Sequence, residues 1–169
     1  MEFTLGQLNS FLGKAALATY ATGGEAVDPL TPNFISRFNG FKELEYKEKD
    51  FYYRDSYAGF FRSAGQETVW FKGKPVWSQS YGGGMEKKFC KDEKFAKETF
   101  DFLKKAMSTG EKVLAFQPRG PEEFEDGDWE YSCDWQGDIA GFKGAEKIIY
   151  RDRAVFAHDF FGGLLKWKE

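Results

Sequence analysis

The sequence predicts an α+β domain: internally duplicated helix-plus-β-meander halves, a curved and mainly antiparallel sheet, and two helices packed on one face of it. Three observations carry the prediction. The hairpin-like stretch GQETVWFKGKPVWSQSYGGG at 65–84 has an echo, GAEKIIYRDRAVFAHDFFGG, at 144–163. Strand-like segments with aromatics at a period of two precede both copies. A helical FLGKA at 11–15 has its counterpart in FLKKA at 102–106, so the order helix, strands, hairpin, Gly-Gly occurs twice.

The copies match position by position. EYKEKDFYYRDSYAG, from Glu45, lies over EFEDGDWEYSCDWQG, from Glu123, without a gap, and one inserted residue before Gly144 keeps the hairpins aligned. Identities fall at Glu45/Glu123, Asp50/Asp128, Tyr53/Tyr131, Gly59/Gly137, Gly65/Gly144, Glu67/Glu146, Val76/Val155, Gly83/Gly162 and Gly84/Gly163. Aromatic pairs such as Phe51/Trp129, Phe71/Tyr150 and Tyr81/Phe160 stand in the same register. The 169 residues suit a single domain, 1–169, with pseudo-repeat halves at about 3–86 and 90–166.

Taken in order, Thr4 and Gln7 form a T-x-x-Q capping box, in which the Thr4 hydroxyl accepts the free N–H at the third helical position. Phe3 and Leu8 stand where a hydrophobic staple needs them, and Leu5, Leu8, Leu12, Ala15 and Ala16 recur on one helical face. Residues 21–41 form a connection long enough to suggest a functional loop. In the strand DFYYRDSYAG, Phe51, Tyr53, Asp55 and Tyr57 share a face; in the second copy Trp129, Tyr131, Cys133 and Trp135 share it. Lys72-Gly73 and Arg151-Asp152 suit two-residue hairpin turns, where Gly or Asp tolerates positive φ. An unbroken ladder from those turns puts Glu67, Val69, Val76, Ser78 and Ser80 on one face, with Trp70, Trp77, Gln79 and Tyr81 on the other. The same rule groups Glu146 with Val155, Ala157 and Asp159, and His158 with Ile149, Phe156 and Phe160. The second helix runs from about Asp92 to Ser108, with Phe95, Thr99, Phe102 and Ala106 as its stripe.

Composition excludes several classes. Charged residues are 30% and aromatics 19%, which marks a folded chain. A net charge of −3 without a basic block argues against a nucleic-acid groove, so no direct nucleic-acid binding is expected. No run approaches the roughly 18 apolar residues of a membrane span. MEFTLGQLNS lacks the basic and apolar regions of a secretory signal, so a cytoplasmic location and no membrane partner are expected. Cys90 and Cys133 fall outside the matched positions, His158 is the only histidine, and no phosphate-loop motif occurs. No metal and no cofactor are expected.

Glu67 and Glu146 are the sharpest candidates for a site. They are matched carboxylates on strand faces with β-branched and aromatic neighbours, where burial is costly without a partner. Three readings stand. Each glutamate holds backbone N–H groups at the glycine bend. Or both line an aromatic, acidic cleft that takes a cationic or polar small molecule, with ring faces from Tyr53, Tyr57, Trp70, Trp77, Tyr131 and Trp135. Or they form a general acid/base pair, as in a glycosidase. Asp55, a carboxylate among rings, joins the set. So does Arg119, which the rigid QPRGP loop aims at an anion or a core carboxylate. His158 reads as structural, because Asp159 beside it points to the opposite face and cannot hold it as a catalytic base. The favoured expectation is a small-molecule ligand-binding or sensor-type domain, not an enzyme. The alternatives are a glycosidase-like hydrolase using Glu67 and Glu146, and a protein-interaction module, such as a homo-oligomer, that presents an aromatic face.

With these motifs in view, the chain resembles an uncharacterised prokaryotic family, domain-of-unknown-function family 5680. The resemblance runs through FLGKAALATYA, LEYKEKDFYYRDSYAG, GQETVWFKGKPVW, QPRGP, WEYSCDWQGD, GAEKIIY and HDFFGGLL. GQETVWFKGKPVW is its most specific part. Members of that family occur alone or behind a helix-turn-helix regulator domain, so the resemblance implies a regulator-linked role that here needs a separate partner. It carries over no catalytic residues. One departure stands out: FFRS at 60–63 lacks the aromatic that Phe142 supplies two residues before Gly144.

Overall fold

A computed structural model describes residues 3–19, 40–109 and 114–168. Nearly all of the 21–41 connection lies outside the described residues. Helix α1 (Leu5–Ala18) starts as its sequence dictates: Thr4 Oγ1 accepts from Gln7 N at 3.1 Å, and Gln7 Oε1 accepts from Thr4 N at 2.8 Å. Helix α2 (Glu93–Ser108) starts on Asp92, whose carboxylate accepts from Phe95 N at 2.9 Å. Between the helices lies a meander of β1 (Phe41–Glu48), β2 (Phe51–Gly59), β3 (Arg62–Phe71) and β4 (Lys74–Met85). A second meander follows α2, with β5 (Glu123–Asp126), β6 (Trp129–Asp138), β7 (Gly141–Tyr150) and β8 (Arg153–Leu164).

Every pairing is antiparallel, and the meanders join along β4 and β8 into one sheet of order β1-β2-β3-β4-β8-β7-β6-β5. One sequence-matched pair meets at the join, Tyr81 facing Phe160; beside it Gln79 faces Gly162, and Gly83 faces His158. The duplication itself stays a reading of the sequence. Aromatic stacking fixes both helices on the same face. Phe11 of α1 lies 4.9 Å from the Phe51 ring and 5.6 Å from Tyr46; Phe102 of α2 lies 5.4 Å from Trp129 and 5.7 Å from Phe124. Such ring pairs contribute about 0.5–1.5 kcal/mol each beyond the area they bury.

The hairpin turns are of the two-residue kind, with positive φ at Lys72, Gly73, Arg151 and Asp152. Beyond them each ladder skips a residue. Trp70 faces Pro75 but Val69 faces Trp77, so Val76 is a bulge. Ile149 faces Ala154 but Ile148 faces Phe156, so Val155 is a bulge too. One extra residue exchanges the two faces of the strand beyond it. Glu67 therefore shares its face with Trp77, Gln79 and Tyr81, not with Ser78 and Ser80. Glu146 shares its face with Phe156, His158 and Phe160, not with Asp159. The unbroken ladder expected from the turns is thus corrected, and the correction assembles the site.

Candidate functional site

Two rows of polar side chains cross the helix-covered face. In the first meander Asp55 faces Glu67, which faces Gln79; in the second Cys133 faces Glu146, which faces His158. Arg119 joins the rows. It comes from the segment between α2 and β5, which is pinned on both sides. Gln79 Nε2 donates to Pro118 O at 3.3 Å, and Gly120 N donates to Tyr131 Oη at 3.0 Å. Held there, Arg119 donates from Nη1 to Glu67 Oε1 and from Nε to Glu146 Oε1, both at 3.0 Å. Its guanidinium lies 4.5 Å over the Tyr81 ring. Gln79 Nε2 also donates to Glu67 Oε1 at 3.2 Å, and Tyr131 Oη donates to Glu146 Oε2 at 2.8 Å. His158 Nδ1 stands 3.1 Å from Glu146 Oε1, and the Tyr81 hydroxyl donates to the Asp55 carboxyl at 3.0 Å.

Asp55, Glu67, Arg119, Glu146 and His158 are all 5% exposed or less, so solvent screens none of these contacts well. Their environments push the carboxyls apart. Burial, and then the charge of Glu67, raise Asp55 to about 8 against the pull of Arg119 and Tyr81. Burial opposes ionisation of Glu146 as well, but Arg119, His158 and Tyr131 outweigh it and hold that group at about 2. At neutral pH Asp55 is mostly a carboxylic acid, able to donate, while Glu146 is a carboxylate that only accepts. Burial lifts the Tyr81 and Tyr131 hydroxyls well above their ordinary value of 10, so both remain donors.

A cavity of about 310 Å³ opens over this cluster, between α2 and the sheet. Asp55, Tyr81, Arg119, His158 and Ser63 supply its polar floor. Phe100, Leu103 and Met107 of α2 face Tyr57, Phe60 and Phe156 across it, and Lys42, Lys97 and Lys104 also border it. At the other end of the cluster, against α1, the segment Phe116–Pro118 packs close, and the remaining space is only about 20 Å³.

Of the residues singled out from the sequence, Asp55, Tyr57 and Arg119 line the cavity. Glu67 and Glu146 do not: they lie behind Arg119 and hold it. Tyr131 holds Glu146. Tyr53 belongs to the buried core. Trp77 is buried too, its indole N–H donating to Ile139 O at 3.0 Å. Trp70 lies on the opposite face, 5.2 Å from Tyr52, and Trp135 borders a broad open groove away from the cavity. Sequence reasoning missed Ser63, Tyr81 and His158, because the bulges that turn Tyr81 and His158 inward leave no plain mark in the residue pattern. Among the described residues no three His, Cys, Asp or Glu side chains gather to hold a metal ion.

Fold and site together define an α+β domain whose helix-covered antiparallel sheet carries a buried ionic cluster beneath an open cavity. The chain belongs to the family described as a domain of unknown function, DUF5680, whose model matches residues 55–165, about two thirds of the chain and nearly all of the cluster's strands. No curated protein and no solved structure matches it. No described helix is long and apolar enough to cross a membrane.

Proposed function

We propose that this chain is a small-molecule-binding domain whose ligand enters the cavity between α2 and the sheet. The observation that carries the reading is the cavity itself: about 310 Å³, apolar on its sides, with Arg119, Asp55, Tyr81, His158 and Ser63 converging on its floor. That combination is the usual build of a small-ligand site. Three lysines border it against one exposed aspartate, Asp101, which pairs with Lys104 at 3.6 Å; the surplus of positive charge weighs against a cation and favours a neutral or anionic polar head on an apolar body. Asp55 as an acid and Arg119 as a fixed cation suit acceptor atoms on that head. A glycosidase-type pair of Glu67 and Glu146 draws no support from the geometry, since one guanidinium holds both and neither borders the cavity.

The test is a thermal-shift screen of small carboxylates, sugars and amines against the wild type and Leu103→Trp, which fills the cavity from α2. Carboxylates or neutral polar compounds should raise the melting temperature of the wild type and leave the variant unmoved. Equal stabilisation of both proteins would place binding elsewhere and overturn the reading.

A further inference from the structure

We infer that Ser63, His158 and Glu146 form a nucleophile–base–acid relay, and that the cavity above them takes small carboxylic esters. Ser63 Oγ lies 3.3 Å from His158 Nε2, and His158 Nδ1 lies 3.1 Å from Glu146 Oε1. These are the nitrogens such a relay requires, one toward the hydroxyl and the other toward the acid. An ionised Glu146 only accepts, so Nδ1 carries a proton toward it, and Nε2, whenever it is unprotonated, faces the Ser63 hydroxyl as an acceptor. Glu146 is locked in place by Tyr131 and Arg119. Ser63 and His158 line the cavity while Glu146 lies behind them, which is the division of labour between reacting and orienting groups.

The sheet brings the three together by a specific device. Ser63 faces Gly83 on β4, and Gly83 faces His158 on β8. Gly83 has no side chain to separate them; a Cβ there would lie 3.0 Å from His158 Cδ2. In the sequence comparison Ser63 aligns with Phe142, His158 with Gln79 and Glu146 with Glu67, so the matched set of three positions has neither the hydroxyl nor the base. The FFRS departure therefore falls on Ser63, the residue whose hydroxyl meets the histidine.

The chemistry balances with water as the second reactant. Ser63 Oγ attacks the ester carbonyl carbon as its proton passes to His158 Nε2. The C–O bond to the alcohol breaks, and that alcohol leaves with the proton from Nε2. Water then adds to the acyl-serine carbonyl, giving a proton to Nε2. The Ser63 C–O bond breaks, Oγ regains the proton, and the carboxylic acid departs. Arg119, lining the same cavity, offers fixed positive charge to the oxyanion.

This inference rests on the same open cavity and adds chemistry to binding. The experiment treats the full chain with a small fluorophosphonate and, separately, with p-nitrophenyl acetate, followed by intact mass and peptide mapping. One adduct on Ser63 is expected, absent in Ser63→Ala, with labelling and ester turnover roughly 100-fold slower in His158→Gln. Circular dichroism confirms that both variants fold. No adduct on Ser63 in folded wild type, or equal labelling of His158→Gln, overturns the relay. Ligand-induced stabilisation that persists in either case would leave the binding reading standing by itself.

Discussion

Asp55→Asn should make the protein more stable at neutral pH, and the gain should grow with pH. Asp55 sits among Glu67, Arg119 and Tyr81, and its carboxyl is raised from the ordinary 3.8 to about 8. The sign follows from proton counting. Between those values the folded chain holds a proton that the unfolded chain has released, so stability falls as pH rises through the window. Between pH 4 and pH 7 the wild type should lose about 4 kcal/mol through this one group. Asparagine keeps an acceptor for the Tyr81 hydroxyl and has nothing to titrate. Urea unfolding of both proteins at pH 4.5, 6, 7 and 8 gives the difference, in which the other titrating groups largely cancel. The variant should gain on the wild type at each step up to pH 8. A difference that stays flat, or that shrinks as pH rises, would refute the account of Asp55 as a buried, mostly protonated acid.

Two further outcomes follow from the geometry. Arg119→Met leaves Glu67 and Glu146 buried without their cation and should cost about 3–5 kcal/mol, read as a lower urea midpoint; Arg119→Lys should recover little, because an ammonium cannot copy the fork that reaches both carboxylates. Gly83→Ala should destabilise far more than Gly73→Ala by the same assay. Both glycines have positive φ, but a Cβ at Gly83 would lie 2.2 Å from Ala157 O while one at Gly73 meets nothing within 4 Å.

Much of the fold was legible in local chemistry. The Thr4–Gln7 box, the Asp92 start, and the Lys72-Gly73 and Arg151-Asp152 turns each announce themselves, because a few adjacent residues satisfy a local demand. The Arg119 contact to a core carboxylate was legible too, from a guanidinium held between Pro118 and Gly120. The faces beyond the turns were not. Val76 and Val155 look like ordinary strand valines, and their bulging is decided by how the whole sheet coils and packs. That single unreadable residue in each hairpin moved Tyr81 and His158 to the helix side and turned an apparently structural histidine into a partner of Glu146. Trp70 keeps the face the strand pattern gives it, opposite Glu67, and so drops out of the cleft rings for a different reason: a ring in a strand does not say which layer will cover it.

The join between β4 and β8 sets an order on folding. Each meander pairs strands that follow one another in the chain, so its contacts are local and should form before the join. The β4–β8 ladder instead links residues about 70 to 90 positions apart. At its ends the bulged valines act as fasteners: Leu165 N donates to Val76 O and Glu86 N to Val155 O, both at 2.8 Å. At its centre Tyr81 faces Phe160, and on either side Gln79 and His158 each meet a glycine. Arg119, tied to Glu67 in one meander and Glu146 in the other, adds a side-chain tie across the join. The cavity floor is thus completed only when the two meanders close on each other. Anything that loosens the join should open the site before it unfolds either meander.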